Sequence, residues 1–104
     1  MVKREKIDFS INRRIISSKR PPYVIAEISA NHNGSIKHAL KTIKAAKNAG
    51  VDAVKIQTYT PDTMTINKST PDFILKEGPW KNRTLYDLYS QAYTPYEWHK
   101  EIFD

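Results

Sequence analysis

Between Tyr23 and Ile28 the chain is almost wholly apolar and partly β-branched, a run of strand length. Pro21 and Pro22 introduce it by holding the preceding backbone in extended geometry. The run ends in Ser29-Ala30-Asn31-His32-Asn33-Gly34-Ser35, a cluster of turn formers in which Asn33-Gly34 suits a tight loop. From Ser35 the apolar spacing becomes helical. Ile36, Leu40 and Ile43 form one stripe with Ala39 and Ala46, while Lys37, Lys41, Lys44 and Lys47 take the other side. Gly50 stands where a left-handed C-terminal cap belongs, so the pattern predicts a helix over 36–49. Val51-Asp52-Ala53-Val54-Lys55-Ile56-Gln57-Thr58 follows at once as a second strand. Strand, helix and strand in this order form a βαβ unit, whose strands run parallel with a right-handed crossover, and the fold class is α/β.

The flanks are less regular. Residues 7–20 alternate loosely around Asn12-Arg13, which predicts a short hairpin. After Thr58 a polar, proline-punctuated stretch runs through Pro71 and continues into Gly78-Pro79-Trp80; connections this long are more often functional than decorative. Thr84–Ala92 reads as a helix with Leu85, Leu88 and Ala92 on one side and Tyr86, Tyr89 and Tyr93 on the next, buried on two sides. Thr94-Pro95-Tyr96-Glu97 combines a capping box with proline at the first helical position, predicting a further helix. Two parallel strands leave open edges and cannot close a sheet. The expectation is therefore a portion of a larger α/β domain, too short to catalyse anything alone.

Composition narrows the partners. The apolar fraction of 39% permits a folded core, and no run of eighteen apolar residues suggests a membrane span. Met1-Val2-Lys3-Arg4-Glu5-Lys6 carries charges with no apolar stretch behind them, so a cytoplasmic location is expected. The absence of cysteine removes disulfides, thiolate nucleophiles and sulfur-ligated metals. Seventeen Lys and Arg against eleven Asp and Glu give a net charge of +6, which suits an anionic partner. The basic residues are scattered, and aromatics do not alternate with them, so neither nucleic acid nor a membrane is the expected partner.

Candidate chemistry lies at the strand ends. Side chains alternate along a strand, so Lys55 and Gln57 share a face with Val51 and Ala53, and Glu27 shares one with Tyr23 and Ile25. Ionisable groups late in two successive parallel strands call for a partner or a ligand, and ligands of α/β folds bind at those ends. Glu27 and Lys55 could equally pair across neighbouring strands, or face water from an edge. Asn31-His32-Asn33-Gly34 either forms Asx turns and a helix cap or rims a site where helix N–H groups meet an anion. A single glycine excludes the dinucleotide fingerprint. His38 and His99 fall in predicted helices without a second ligand at zinc-type spacing, so no complete metal site is expected in these residues. The tyrosines, Trp80 and Trp98 read as packing groups.

Ala26-Glu27-Ile28-Ser29-Ala30-Asn31-His32-Asn33-Gly34-Ser35, followed after one helix by Asp52-Ala53-Val54-Lys55-Ile56-Gln57-Thr58, resembles the sialic acid synthase family of phosphoenolpyruvate-dependent nonulosonate synthases. Tyr59-Thr60-Pro61-Asp62-Thr63, Gly78-Pro79-Trp80 and the stretch from Thr84 to His99 look like its pseudaminic acid branch. The resemblance implies the N-terminal part of a (β/α)8 TIM barrel, with residues 1–22 as an extension bearing the hairpin and 23–104 as the first βα units. It implies condensation of phosphoenolpyruvate with 2,4-diacetamido-2,4,6-trideoxy-altrose and water, releasing phosphate, in a domain-swapped homodimer that uses a divalent metal of Mn or Mg type. The family's metal ligands lie on later strands than these. By position, Glu27 would be catalytic, contacting the reacting sugar and the metal-bound water, Lys55 would hold the phosphoenolpyruvate anion and Gln57 the sugar, while Asn31 and Asn33 would shape the rim. The alternatives are a sialic or legionaminic acid synthase and a non-catalytic interaction module.

Overall fold

Asn12 and Arg13 both adopt left-handed backbone, with φ of 46° and 68°. A two-residue hairpin turn needs positive φ at both central positions, because that twist matches the flanking strands. It joins β1 (Phe9–Ile11) to β2 (Arg14–Ile16) in antiparallel register, with Ser10 opposite Ile15. The computed structural model describes residues 8–104, so Ile7, the first residue of the expected hairpin, lies outside the described residues.

β3 (Ile25–Glu27) and β4 (Ala53–Lys55) pair in parallel, with Ile25 opposite Ala53, Ala26 opposite Val54 and Glu27 opposite Lys55. Both ladders are shorter than the apolar runs that predict them. Each strand has a single neighbour among the described residues, so nothing on the other edge fixes its ends in extended pairing. Between them α1 (Ile36–Asn48) starts on Ser35, whose hydroxyl accepts the His38 N–H at 3.3 Å. It stops on Gly50 at φ +92°, where the Gly50 and Val51 N–H groups donate to the Lys47 and Ala46 carbonyls at 3.0 and 3.4 Å. That pair of bonds is a Schellman cap, so the glycine ends the helix and turns the chain into β4.

The long connection is less irregular than its composition suggests. Pro61–Met64 forms a short helix, α2, and the Thr63 hydroxyl accepts the Thr60 N–H at 3.1 Å while donating to the Thr60 carbonyl at 2.8 Å. A 3₁₀ turn spans Pro71–Phe73. Thr84 then caps α3 (Leu85–Ala92) by accepting the Asp87 N–H at 3.1 Å. The predicted capping box at Thr94 does not form. The chain makes a 3₁₀ turn over Tyr96–Trp98 with no side-chain cap before α4 (His99–Phe103). Thr94 is buried instead, and its N–H donates to the Gln57 carbonyl at 2.9 Å. A tertiary backbone bond at the end of β4 has overridden the local capping signal.

The core is thin. Among the described residues the fully buried apolar side chains are Ile28, Ala39 and Ala92, while Ile25 is 55% and Phe103 74% exposed. The radius of gyration is 18.5 Å, where a compact chain of this length has about 13 Å. This is an α/β arrangement of small sheets and helices, with no closed barrel among the described residues.

Asp52 connects the two sheets. Its carboxylate pairs with the Arg14 guanidinium and accepts the Val24 N–H at 2.7 Å, while Arg14 donates to the Pro22 carbonyl at 3.1 Å and stands 5.2 Å from the Tyr23 ring centroid. Hydrogen bonds to a charged, partly buried group contribute about 1.5–3 kcal/mol. Asp52→Ala is expected to lower stability by about that amount and to free the hairpin from the parallel pair. Faster amide exchange at Val24 and faster proteolysis at 17–22 would report it, and unchanged protection at Val24 would refute it.

Candidate functional site

The parallel register decides which side chains meet. Glu27 and Lys55 are direct partners, so both emerge on one face at the C-terminal end of the pair, and Gln57 follows two residues on with the same parity. Lys55 Nζ lies 3.3 Å from Glu27 Oε1, and Gln57 Nε2 donates to that oxygen at 3.1 Å. Ile25, Glu27 and Lys55 are exposed, whereas Ile28 on the opposite parity is buried, so the polar face is open at the C-terminal end of the pair. Glu27 and Lys55 thus do pair across neighbouring strands. With side chains 47% and 58% exposed, the pair contributes about 0–1 kcal/mol to stability, too little to explain it as a structural fastener. The side chains form an accessible patch of one carboxylate, one ammonium and one amide that a ligand can enter by exchange with water.

The loop leaving β3 carries the other predicted residues. It is a series of tight turns: the Asn31 N–H donates to the Ile28 carbonyl, Asn33 to Ala30 and Ser35 to His32, at 3.0, 3.2 and 3.0 Å. Ser29 and Asn33 take positive φ of 50° and 51°, and Gly34 follows at +72°. Asparagine and glycine tolerate such backbone best. Asn31 and Asn33 are exposed at the surface of the loop and are not in the Glu27–Lys55–Gln57 hydrogen-bond cluster.

His32, between them, is 1% exposed. Sequence reasoning assigned it no role of its own; its only signal was a histidine held between two turn-forming asparagines. Its Nδ1 accepts the Gly34 N–H at 3.0 Å, so a neutral ring carries its proton on Nε2. The ring meets the Trp98 indole edge-on, with centroids 5.1 Å apart and planes at 78°. Nε2 has no hydrogen-bond partner among the described residues, a burden of about 1–3 kcal/mol for a buried donor. Burial holds its pKa below the ordinary 6.5, opposed by the Ala92 backbone and aided by His38.

A cavity of about 490 Å³ opens beside this loop. Asn33 and Gly34 line one wall, Gln91, Tyr93 and Trp98 the other, and Trp80 reaches in from the long connection. Glu27, Lys55 and Gln57 do not line it, so the charged patch and the cavity are distinct, joined through the loop and through the bond from Thr94 to Gln57. Trp80 and Trp98 serve the cavity as well as packing. The Thr58 hydroxyl meets His99 Nε2 at 2.6 Å, which pins the start of α4 to the end of β4. Tyr59 packs edge-on against Tyr89 at 5.6 Å, and burial, then Tyr89, pushes its phenol pKa up.

Among the described residues no three His, Cys, Asp or Glu side chains gather as a metal-binding group. Glu27 offers one carboxylate already shared by two donors, so the residues in hand do not by themselves fit a divalent ion. No helix among the described residues is long and apolar enough to cross a membrane.

A model of the NeuB family matches residues 42–104. The chain is 62% identical over 82 residues to a pseudaminic acid synthase of Campylobacter jejuni, covering 79% of this chain and 24% of that protein. It is 46% identical over 85 residues to the pseudaminic acid synthase of Helicobacter pylori, covering 82% and 25%. An N,N'-diacetyllegionaminic acid synthase of Legionella pneumophila is 47% identical over 47 residues, covering 45% and 13%. The chain spans about a quarter of the length of the two pseudaminic acid synthases.

The depressed pKa of His32 fixes a pH dependence. The unfolded ring takes up a proton near pH 6.5, the buried one only at lower pH, so acid favours unfolding. The contribution is complete above pH 6.5 and is lost as pH falls from there through the folded-state value. Thermal melting at pH 7.5 and 5.5 is expected to show a larger acid loss for the native chain than for His32→Asn. Equal losses would refute it.

Proposed function

The chain belongs to the NeuB family, and from that membership we propose that it forms the substrate-binding N-terminal part of a pseudaminic acid synthase. Residues 1–22 are the extension and 23–104 the first βα units of a TIM barrel whose other strands close on the open edges of β3 and β4. The reaction joins phosphoenolpyruvate to 2,4-diacetamido-2,4,6-trideoxy-altrose and water, and releases phosphate. The enzyme acts in the cytoplasm as a homodimer. It uses a divalent metal of Mn or Mg type as Lewis acid, for which the described residues do not suffice as ligands.

The observation that carries this reading is the meeting of Glu27, Lys55 and Gln57 at the C-terminal ends of two parallel strands, in a chain 62% identical to a pseudaminic acid synthase. Barrel enzymes bind substrate at that end. Lys55 presents a point charge to the phosphoenolpyruvate anion. Gln57 offers an amide donor and acceptor to sugar hydroxyl or acetamido groups. When Lys55 turns to the anion, the Glu27 carboxylate is released to accept a proton from water or a sugar hydroxyl at the reacting carbon. Asn31 and Asn33 shape the rim above it. The shorter match to a legionaminic acid synthase supports a second reading, the same chemistry on a related diacetamido sugar.

The test is a complete synthase in which this chain replaces the corresponding quarter of the Campylobacter enzyme. It is expected to release phosphate from phosphoenolpyruvate only when the altrose derivative is present, and turnover with a different nonulosonate precursor instead would favour the second reading. Lys55→Met should raise the KM for phosphoenolpyruvate at least about tenfold, and Glu27→Gln should lower kcat by about as much. Because the pair is exposed, neither change should cost more than about 1 kcal/mol of stability. Wild-type kinetics in both variants would sink the assignment.

A further inference from the structure

His32 is the one buried polar side chain in the loop that follows Glu27. We propose that His32 is a positioning residue: it clamps the β3–α1 loop, which carries Asn31 and Asn33, to the segment leaving α3, and so sets the rim of the Glu27–Lys55–Gln57 patch and the width of the adjoining cavity. The proposal rests on the reading of that patch as a substrate site.

Three observations support it. First, His32 reaches both walls. Its Nδ1 is bonded to Gly34, which lines the cavity on the loop side, and its ring edge lies on Trp98, which lines it on the other. Second, the contact to Gly34 closes a turn whose residues at positions 33 and 34 both have positive φ. Asparagine and glycine take such backbone without strain, so the turn is available to the loop and the imidazole contact from within it selects that one conformation. Third, the position is completely enclosed, yet it holds a side chain with an unpartnered Nε2 where leucine or methionine would fill the space without a polar burden. A ring that accepts at Nδ1 and packs its edge on an indole meets both needs; an aliphatic side chain meets only the packing.

The geometry separates what His32 controls from what it does not. Lys55 sits within β4 and its backbone carbonyl accepts the Ile28 N–H at 3.0 Å, so its place is set by the parallel ladder. The asparagines depend on the loop. With Asn31 and Asn33 set against the sugar at the rim and Lys55 holding the anion from the strand, loosening His32 should disturb the sugar side of the reaction more than the anion side. A filler role predicts no such split, only a smaller amount of folded enzyme with normal constants.

The experiment uses the complete synthase described above, with His32→Leu and His32→Asn, read by hydrogen exchange of peptides spanning 30–36 and by steady-state kinetics in each substrate. Leucine keeps bulk and removes the acceptor; asparagine keeps an acceptor for the N–H two residues on but does not extend to Trp98. For His32→Leu we expect faster exchange in the loop, kcat lowered about tenfold to a hundredfold, a raised KM for the sugar, and a KM for phosphoenolpyruvate changed less than about twofold. His32→Asn should recover loop protection and only part of kcat. Native exchange in the leucine variant, native kcat in both variants, or a phosphoenolpyruvate KM that rises with the sugar KM would overturn the proposal. If the leucine variant does not fold, the asparagine variant decides, with native kcat counting against. If the unmodified synthase folds but condenses nothing, the functional reading fails, and loop exchange alone then tests the clamp.

Discussion

Everything that this chain places with chemical purpose depends on the register of one parallel strand pair. Glu27 opposite Lys55 is a backbone fact before it is an electrostatic one, since the partners of β3 and β4 are set by ladder hydrogen bonds that continue from Val24 to Ile28. Side-chain parity then carries Gln57 to the same face. A slip of one residue in β4 would turn Lys55 and Gln57 away from Glu27, toward the side where Ile28 is buried and an ammonium would be far more costly. The apolar pattern and the polar triad therefore specify the same register.

Around this pair the molecule is built from short-range devices. A Schellman cap at Gly50 turns α1 directly into β4, a left-handed Asn12-Arg13 turn makes the hairpin, and Asp52 joins hairpin to sheet through Arg14 and the Val24 N–H. Such contacts need little core, and little is present. Exposed Ile25 and Phe103 and an extended radius of gyration leave apolar surface uncovered among the described residues.

The loop between β3 and α1 has a different character. Its positive-φ residues, its exposed asparagines and its enclosed histidine lie within the six positions from Ser29 to Gly34, so backbone and side chain are constrained where the polar patch begins. The cavity beside it, with tryptophan on two sides and no acidic or basic side chain in its lining, contrasts with the charged patch.

By itself the sequence determined the βαβ unit, the ends of α1, the hairpin turn and the shared face of Lys55 and Gln57, whereas the register of β3 against β4 put Glu27 on that face. These follow from periodicity, caps and glycine or asparagine backbone, which act over a few residues and leave a local trace. The family resemblance was legible for the same reason, being carried by two contiguous motifs. What only tertiary structure decided was contact between distant segments. Thr94 reads as a capping residue, yet its N–H is taken by the Gln57 carbonyl and its side chain is buried. Trp98 reads as packing, yet it meets His32 and lines a cavity. His32 reads as part of a turn, yet it is enclosed, because segments sixty residues apart close over it. No local pattern encodes such closures, since their energy arises only when the chain has brought those surfaces together.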